Sequence, residues 1–191
     1  MCAELYDTIF RRVQSLVRLA VPWAGTVYRN ATVRYSTAAE LLTGEGSRQF
    51  GGRWNPPGIR AVYASFAPQT AMAEALSNFS YYGFDIADSM PRVFVAIRVS
   101  LVAVLDLTEG ATRQRLGVSS QRMSADDWRK MQHDGLQSLT QMVGRAAHTA
   151  GLRGFLVSSS TGATGRNIVW FPDNLGPHDQ IAICRADELP R

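Results

Sequence analysis

Cysteine and histidine are scarce in this sequence. Its two cysteines, Cys2 and Cys184, lie at opposite ends of the chain, and its three histidines are far apart. A disulfide framework or a zinc site needs several such side chains at short, regular spacings. The sequence therefore predicts neither a disulfide framework nor a bound metal. Such sparing use of cysteine is typical of a protein of the reducing cytoplasm, where we expect this one.

Long apolar runs are also missing. The best candidate, residues 3–20, has apolar side chains at helical spacing but is interrupted by Arg11, Arg12 and Arg18. It is too polar to span a bilayer, and it lacks the order of charged and apolar residues found in a signal peptide. The pattern predicts an amphipathic N-terminal helix. Packing on the domain is the interpretation we favour over attachment to a membrane surface.

The charge is only mildly unbalanced. Of 191 residues, 46% are hydrophobic and 19% are charged, which is typical of one globular domain. The net charge of +4 suits an anionic ligand such as a dinucleotide, and it also suits nucleic acid. Because no helix-turn-helix, zinc-finger or RRM pattern is present, a nucleic-acid-binding module is the weaker interpretation. No GxGxxG fingerprint follows a predicted strand, so dinucleotide binding of the Rossmann type is not expected.

Hydrophobic periodicity predicts an α+β fold, with a mixed β core, flanking helices and an extra N-terminal helix. Residues 1–25 form the helix and its lead-in, and residues 26–191 form the main domain. Strands are expected at 26–29, 61–65, 92–99, 102–106, 155–158, 167–171 and 180–185. The N-terminal helix is expected to end before Pro22, and further helices are expected from Ser36 or Thr37 to Leu42, at 68–80 and at 135–150. The region at 109–129 is expected to be helical but broken, with Ser124 and Asp127 resembling a capping box. Residues 43–58 read as a loop.

Four segments stand out together. They are Tyr28-Arg29, the GGRWNPPG loop at 51–58, the AVYAS strand at 61–65 followed by Glu74 in TAMAEAL, and GFLVSSSTGATGRNIVWF at 154–171. This ordered set resembles the RES domain, a family named for its Arg, Glu and Ser, over roughly residues 27–185. The matching positions are Arg29, Glu74 and Ser159.

The match leaves one register open. The family often has proline before its late serine, whereas this chain has Ser158-Ser159-Ser160. The functional serine is therefore one of these three, and Ser159 is the position that we assign.

The resemblance implies both a fold and an activity. RES proteins are similar in fold to ADP-ribosyltransferase toxins and consume NAD as a substrate. The chain is thus expected to be a bacterial toxin that cleaves the nicotinamide–ribose bond, with water or phosphate as acceptor. The alternative is ADP-ribosyl transfer to a protein. The resemblance also implies an Xre-type antitoxin partner. We expect no direct binding of nucleic acid, and the assembly that we consider is a homo-oligomer within the toxin–antitoxin complex.

The chemistry assigns roles to the matched residues. Nicotinamide leaves as a neutral group, so the reaction requires no metal; the site must hold the pyrophosphate and stabilise positive charge on the ribose. Arg29 and Arg53 suit the pyrophosphate, because a guanidinium matches phosphate oxygens in a bidentate way. Tyr28 and Tyr63 suit stacking on the nicotinamide ribose or hydrogen bonding to it.

Glu74 is the centre of this hypothesis. Its carboxylate can bind a ribose hydroxyl and stabilise the oxocarbenium-like sugar, as carboxylates do in glycosidases. Helix periodicity alone, however, places Glu74 off the apolar stripe and indicates a solvated side chain. Ser159 is expected to orient the amide of nicotinamide or a phosphate, and Asn167 to support the site from the next strand. Trp54 is interpreted as a loop anchor outside the site.

Overall fold

The computed structural model describes residues 2–161 and 164–190, apart from 82, 84, 86, 88 and 89. The fold is α+β, as predicted. The helices are α1 (Cys2–Leu16), α2 (Ala38–Leu42), α3 (Glu45–Phe50), α4 (Pro68–Tyr81), α5 (Gly110–Leu116), α6 (Ser120–Ser124), α7 (Trp128–His133) and α8 (Leu139–Thr149). The strands are β1 (Val21–Thr32), β2 (Val62–Ser65), β3 (Arg92–Asp106), β4 (Gly154–Ser158), β5 (Arg166–Trp170) and β6 (Gln180–Ile183).

The six strands form one sheet that closes on itself. Their order is β1-β2-β5-β4-β3-β6, and β1 also pairs with β3. The strand β3 is long enough to pair with β1 along one edge and with both β6 and β4 along the other. Only the β3–β4 pair is parallel; the other described pairs are antiparallel. This closure brings β1, β2 and β5 together on one side of the molecule.

Two hydrophobic clusters occupy the two faces of the sheet. Successive residues of a strand point to opposite faces, and β4 shows this directly: Phe155 and Val157 belong to the cluster under the helices, whereas Leu156 belongs to the other cluster. In β5, Val169 joins the first cluster and Ile168 joins the second. Strands β4 and β5 are therefore buried on both faces and firmly positioned.

Helix α1 is part of the first cluster. Ile9, Val13 and Leu16 are each only 1% exposed, and the helix packs against α8 and α5. The sequence prediction of a helix that packs on the domain is thus confirmed. A short 3-10 turn, Val17–Leu19, continues α1 towards β1. Among the described residues, no helix has the length and apolar character needed to cross a membrane.

Three predicted elements differ in the structure. Residues 45–50 form helix α3 rather than loop, because Gly44 and Gly51 adopt positive φ angles and bracket a short helix. The two strands expected at 92–99 and 102–106 are one continuous strand, since β1 pairs with it on both sides of the expected break. Residues 26–29 are likewise only part of the longer strand β1.

The helix caps also differ. Ser124 ends α6 rather than capping a helix; the cap of α7 is Asp127, which accepts a hydrogen bond from the backbone of Lys130. Helix α8 begins at Leu139 instead of Gly135, because Ser138 and Gln141 form a reciprocal capping box there. The predicted cap at Thr37 is confirmed, with Glu40 as its partner.

Candidate active site

A cavity of about 490 Å³ opens between β1, β2, β5, helix α4 and the glycine-rich loop at 51–54. The structure brings most of the predicted site residues to this cavity. Those that line it are Tyr28, Arg29, Arg53, Tyr63, Glu74 and Asn167. Ser158 and Ser160 line it as well, and Ser159 lies directly behind Glu74.

Glu74 is held by several hydrogen-bond donors. Its Oε1 accepts bonds from Ser159 Oγ at 2.6 Å, from Asn167 Nδ2 at 2.8 Å and from the backbone N of Ser160 at 3.1 Å. Its Oε2 accepts a longer bond of 3.2 Å from Ser160 Oγ. A carboxylate with this many donors is fixed in orientation. Periodicity alone predicted a solvated glutamate. The Glu74 side chain is instead half-buried and hydrogen-bonded, because the end of β4 and the start of β5 lie beside α4.

The three consecutive serines lie in different surroundings. Ser159 is 8% exposed and donates its hydroxyl hydrogen bond to Glu74, while the oxygen also lies 2.9 Å from Thr161 Oγ1. Ser160 is exposed and reaches Glu74 through both its backbone and its side chain. Ser158 is exposed at the end of β4 and lines the cavity. The shortest contact with Glu74 is therefore made by the serine to which the sequence match assigned the role.

Asn167 supports Glu74 from the start of β5. It is paired with Ser65 of β2 and Val157 of β4, so its backbone is fixed from both sides. While its Nδ2 donates to Glu74, its Oδ1 is enclosed and accepts no bond from the described part of the protein. This oxygen is an acceptor available to a bound ligand.

Arg29 is half-buried at the cavity wall. Its Nη1 donates to the backbone oxygen of Tyr63 at 2.8 Å, and its Nε is enclosed without a partner among the described residues. Burial lowers the pKa of Arg29 to about 10, because the protein removes the water that would solvate the charge. An arginine buried without a carboxylate is a costly arrangement, which a bound anion would offset.

Arg53 extends from the glycine-rich loop. Its Nη1 donates to the backbone oxygens of Met123 and Asp126 at 3.1 and 3.2 Å, so it joins this loop to the segment around α6 and α7. Desolvation by burial lowers its pKa, while the nearby charge of Glu74 opposes that shift. Like Arg29, it is held by neutral carbonyls and keeps its full positive charge for a ligand.

Tyr63 is tied to the glycine-rich loop. Its hydroxyl donates to Asn55 Oδ1 at 2.6 Å and accepts a bond from the backbone N of Trp54 at 3.0 Å. Burial raises the pKa of this phenol well above its usual range, so it stays protonated. Because its proton is already donated to Asn55, stacking is the ligand contact that these bonds favour.

Asn55 organises the loop from the inside. It is fully buried, and its Nδ2 donates to the backbone oxygens of Ser47 and Ile59, both at 2.8 Å. Gly52 is required by the same arrangement, since a Cβ there would lie 2.5 Å from the hydroxyl oxygen of Tyr63. The pattern GGRWN therefore encodes a loop that is internally bonded around the tyrosine.

Trp54 anchors the loop in the core, as predicted, but it also lines the cavity, which the prediction placed it outside. It is 5% exposed and packs edge-on against Phe155, with ring centroids 5.1 Å apart. Its carbonyl oxygen lies against α8 at Gly144, where a Cβ would be only 1.6 Å away. The loop can reach this position only because residue 144 has no side chain.

Known proteins resemble this chain in sequence and in structure. The model of the RES domain family matches residues 26–189. This chain belongs to the RES family. The resemblance identified from the motifs is thereby confirmed across nearly the whole described fold.

Curated RES relatives carry a functional name. NAD(+) phosphorylase MbcT of Mycobacterium tuberculosis (strain H37Rv) is 34% identical to this chain over 167 residues, covering 85% of this chain and 81% of MbcT. MbcT of Mycobacterium bovis matches to the same extent. The crystal structure of the M. tuberculosis MbcT–MbcA toxin–antitoxin complex is similar in fold, with a TM-score of 0.68, 26% identity and coverage of 97% and 98% of the two chains.

Sequence reasoning missed several residues of this RES cavity. They are Asn30, Phe79, Arg92, Trp128 and Arg129. Asn30 donates to the backbone oxygen of Ala71 in α4 at 2.7 Å, and Arg92 Nε donates to Asn30 Oδ1 at 2.6 Å. The position of Asn30 directly after Arg29 was a usable signal. Nothing in the local sequence distinguishes Arg92, whose place follows from the pairing of β3 with β1.

The side chains that line the cavity carry an excess of positive charge. Four arginines and one glutamate are present among them. Among the described residues, Arg29, Arg53 and Arg92 have no carboxylate within salt-bridge distance. The described residues also contain no cluster of three or more potential metal ligands. The arrangement favours a ligand with several negative charges.

Proposed function

We propose that this chain cleaves the bond between nicotinamide and ribose in NAD, and that inorganic phosphate is the preferred acceptor, with water as the alternative. The observation that carries the proposal is the Glu74 carboxylate, which is fixed by Ser159, Ser160 and Asn167 inside an arginine-rich cavity. Family membership and the name of the MbcT relative support the same reaction.

In this reaction the bond between C1′ of the ribose and the ring nitrogen breaks. The electron pair goes to nicotinamide, which leaves as a neutral molecule, and positive charge develops on the sugar. Glu74 acts as the catalytic carboxylate that stabilises this charge or binds a ribose hydroxyl. Ser159 and Asn167 keep the carboxylate in place through the bonds that they donate to its Oε1.

The positively charged wall binds the other part of NAD. Arg29 and Arg53 are assigned to the pyrophosphate, because both are held by neutral carbonyl oxygens and so retain their attraction for phosphate. Tyr28 and Tyr63 are assigned to the nicotinamide ribose, with Tyr63 acting through its ring. These interactions place C1′ beside Glu74 and supply orientation rather than covalent chemistry.

With phosphate as acceptor, a phosphate oxygen forms a bond to C1′ as nicotinamide leaves, and ADP-ribose 1″-phosphate is the product. With water, the product is ADP-ribose. The name of the MbcT relative favours phosphate. Transfer to a protein side chain is the second candidate, and labelled NAD distinguishes them: label on protein supports transfer, and label only in small molecules supports cleavage.

We further propose that the protein is a toxin restrained by an antitoxin of the Xre type. Unrestrained loss of NAD would kill the host cell, so a partner that inserts a segment into the cavity is expected. A relative crystallises as the MbcT–MbcA toxin–antitoxin complex, which supports a proteinaceous partner. The cytoplasm is the proposed compartment because it supplies NAD, and a higher-order oligomer would form only within that complex.

The proposed domain division is 1–25 for the N-terminal segment and 26–191 for the RES domain. The family match begins at Thr26, which supports this division. Strand β1, however, runs from Val21 to Thr32 and crosses it. The N-terminal segment is therefore proposed to act as a structural extension of the RES domain.

Release of nicotinamide from NAD tests the proposed reaction. The purified protein is incubated with NAD in the presence and absence of phosphate, and nicotinamide is followed by chromatography. We expect release that increases with phosphate and is lost in Glu74→Ala and Arg29→Ala, whereas Glu109→Ala and Arg98→Ala, both at exposed positions, remain active. No release under either condition by the folded wild type would contradict the proposal.

Cell growth tests the toxin hypothesis separately. Expression of the wild type is expected to arrest growth and lower cellular NAD, whereas expression of Glu74→Ala at the same protein level is tolerated. Equal growth with the two forms would contradict toxicity, even if the purified protein cleaves NAD.

A further inference from the structure

Arg92 has different hydrogen-bond partners from Arg29 and Arg53, although all three line the cavity. Arg29 donates to the backbone oxygen of Tyr63, and Arg53 donates to backbone oxygens of the segment around α6 and α7. Arg92 instead is joined to Asn30 of β1, and Asn30 is joined to Ala71 of α4. The proposed reaction uses the first group for the pyrophosphate and assigns nothing to the second.

The surroundings of Arg92 fix its guanidinium without neutralising it. Nε donates to Asn30 Oδ1 at 2.6 Å, and the guanidinium carbon lies 5.4 Å from the ring centroid of Phe79. The side-chain amide of Asn30 is fixed in one orientation, because its Nδ2 donates to the backbone oxygen of Ala71. Nη1 is enclosed and has no partner among the described residues. The side chain is thus oriented by a neutral amide and an aromatic face, both of which leave its charge intact.

The charges of the cavity and of NAD do not balance. NAD brings about two negative charges in its pyrophosphate, which two arginines can match. With Arg29 and Arg53 assigned to them, Arg92 and Arg129 remain beside the single carboxylate of Glu74, and Nη1 of Arg92 has no partner among the described residues. An enclosed guanidinium nitrogen without a partner costs free energy that a further anion would recover. Burial also lowers the pKa of Arg92, as expected for a charge that lacks a counter-ion.

We propose that Arg92, oriented by Asn30 and Phe79, forms a second phosphate-binding subsite in the cavity, separate from the pyrophosphate contacts of Arg29 and Arg53. The phosphate group that it takes is the free inorganic phosphate used as acceptor, because both phosphates of NAD belong to the pyrophosphate already assigned to Arg29 and Arg53. The proposal rests on the proposed function for the identity of the dinucleotide, but the binding of phosphate itself does not depend on turnover.

Calorimetric titration tests whether Arg92 binds inorganic phosphate independently of NAD. The full-length chain with Glu74→Gln, which suppresses turnover, is titrated with inorganic phosphate and, in a second series, with NAD. Arg92→Gln is then added to this background, and Arg98→Gln, on the exposed part of the same strand, serves as the matched control. We expect Arg92→Gln to weaken binding of inorganic phosphate about tenfold or more, as for loss of a charged hydrogen bond, without weakening that of NAD. Arg98→Gln should leave the binding of both probes unchanged.

Each outcome has a defined meaning. Weaker binding of inorganic phosphate alone supports the subsite. Weaker binding of NAD, alone or together with that of phosphate, places Arg92 among the pyrophosphate contacts and overturns the proposal. Unchanged binding of both probes overturns the proposal. Arg92→Lys, which keeps the charge, is expected to recover part of the lost affinity. Should Arg92→Gln fail to fold, the comparison of Arg92→Lys and Asn30→Ala with the parent decides, since unchanged affinity in both overturns the proposal.

The titration also remains informative if the proposed reaction is wrong. Absence of nicotinamide release by the wild type would refute NAD cleavage, whereas the phosphate titration would still report whether Arg92 binds the anion. Failure of the subsite, conversely, would leave the reaction at Glu74 untouched. The two hypotheses therefore fail through different measurements.

Discussion

The two loops that frame the cavity are held in different ways. The loop at 51–55 is bonded to the protein interior through neutral groups, with Asn55 at its centre. The turn at 158–161 makes its side-chain hydrogen bonds, among the described residues, only within itself and to Glu74. The first loop therefore owes its shape to bonds with the protein interior. In the second, the backbone is held by the bond from Ser159 N to Gly165 O, whereas the side chains are oriented by the proposed catalytic carboxylate.

This difference predicts two kinds of mutant. Substitutions that break the bonds of the first loop should lower the stability of the whole domain, because they leave buried polar groups without partners. Substitutions in the second should mainly lower activity, because they free Glu74 without opening the core. The predictions below test that separation.

The largest effect is expected for Glu74→Gln. The substitution removes the negative charge and places an amide group where Ser160 and Asn167 now donate, so we expect nicotinamide release to fall at least about a hundredfold, as for loss of a key electrostatic group. Hydrogen exchange should increase at residues 159–161 but not at 52–55. Glu109→Gln is the control, and faster exchange in both loops would contradict the proposed separation.

Asn55→Ala should give the largest loss of stability. It leaves the backbone oxygens of Ser47 and Ile59 and the hydroxyl of Tyr63 without their buried partner, so the free energy of unfolding should fall by about 3 kcal/mol. Denaturant titration measures this. The matched variant is Asn167→Ala, which removes an asparagine bonded to Glu74 instead; it should lose less than about 1 kcal/mol of stability and most of the activity. Similar stability losses in both would break the comparison.

The serine variants should give a smaller, graded effect. Ser159 Oγ lies 2.6 Å from the carboxylate, whereas Ser160 Oγ lies at 3.2 Å and its backbone N remains bonded after substitution. We expect Ser159→Ala to lower kcat about tenfold, equivalent to one charged hydrogen bond, and Ser160→Ala to lower it less. A larger loss for Ser160→Ala, or for Ser158→Ala, would move the functional serine to that position.

The smallest effect concerns the stability cost of Arg29. Its pKa of about 10 in the folded protein lies below the value of 12.5 for a free side chain. The folded state therefore disfavours the charged form, and the resulting loss of stability is complete below pH 10 and diminishes only as the pH rises above it. At neutral pH, Arg29→Met should raise the free energy of unfolding by about 1 kcal/mol, although activity is lost. Arg98→Met should not stabilise the protein, and a destabilised Arg29→Met would refute the interpretation.

The sequence was most informative where local pattern and burial coincide. Helix α4, strand β2 and the packing of α1 were all predictable, because their apolar spacing and caps are local signals. The expected break within β3, between residues 99 and 102, was wrong. The continuity of this strand depends on its pairing with β1, which no local pattern records. Helix α3 was missed because its flanking glycines were interpreted as loop residues.

For the site, motif resemblance predicted the surroundings of Glu74 better than periodicity did. The spacing of α4 indicated an exposed Glu74, and only the ordered match with the RES family marked it as functional. The bonds that give this residue its surroundings join positions 74, 159, 160 and 167, which are remote in sequence. Arg92 was missed for the same physical reason, because its neighbour Asn30 is brought to it by the register of two strands.

The contact between Gly144 and Trp54 has an evolutionary consequence. Since a single methyl group at 144 would displace the carbonyl of Trp54 and with it the loop next to the cavity, this position links helix packing to substrate binding. Selection for stability alone would favour alanine inside a helix, but selection for an intact pocket forbids it. Position 144 should therefore vary less among active members than neighbouring core positions, where one apolar side chain can replace another.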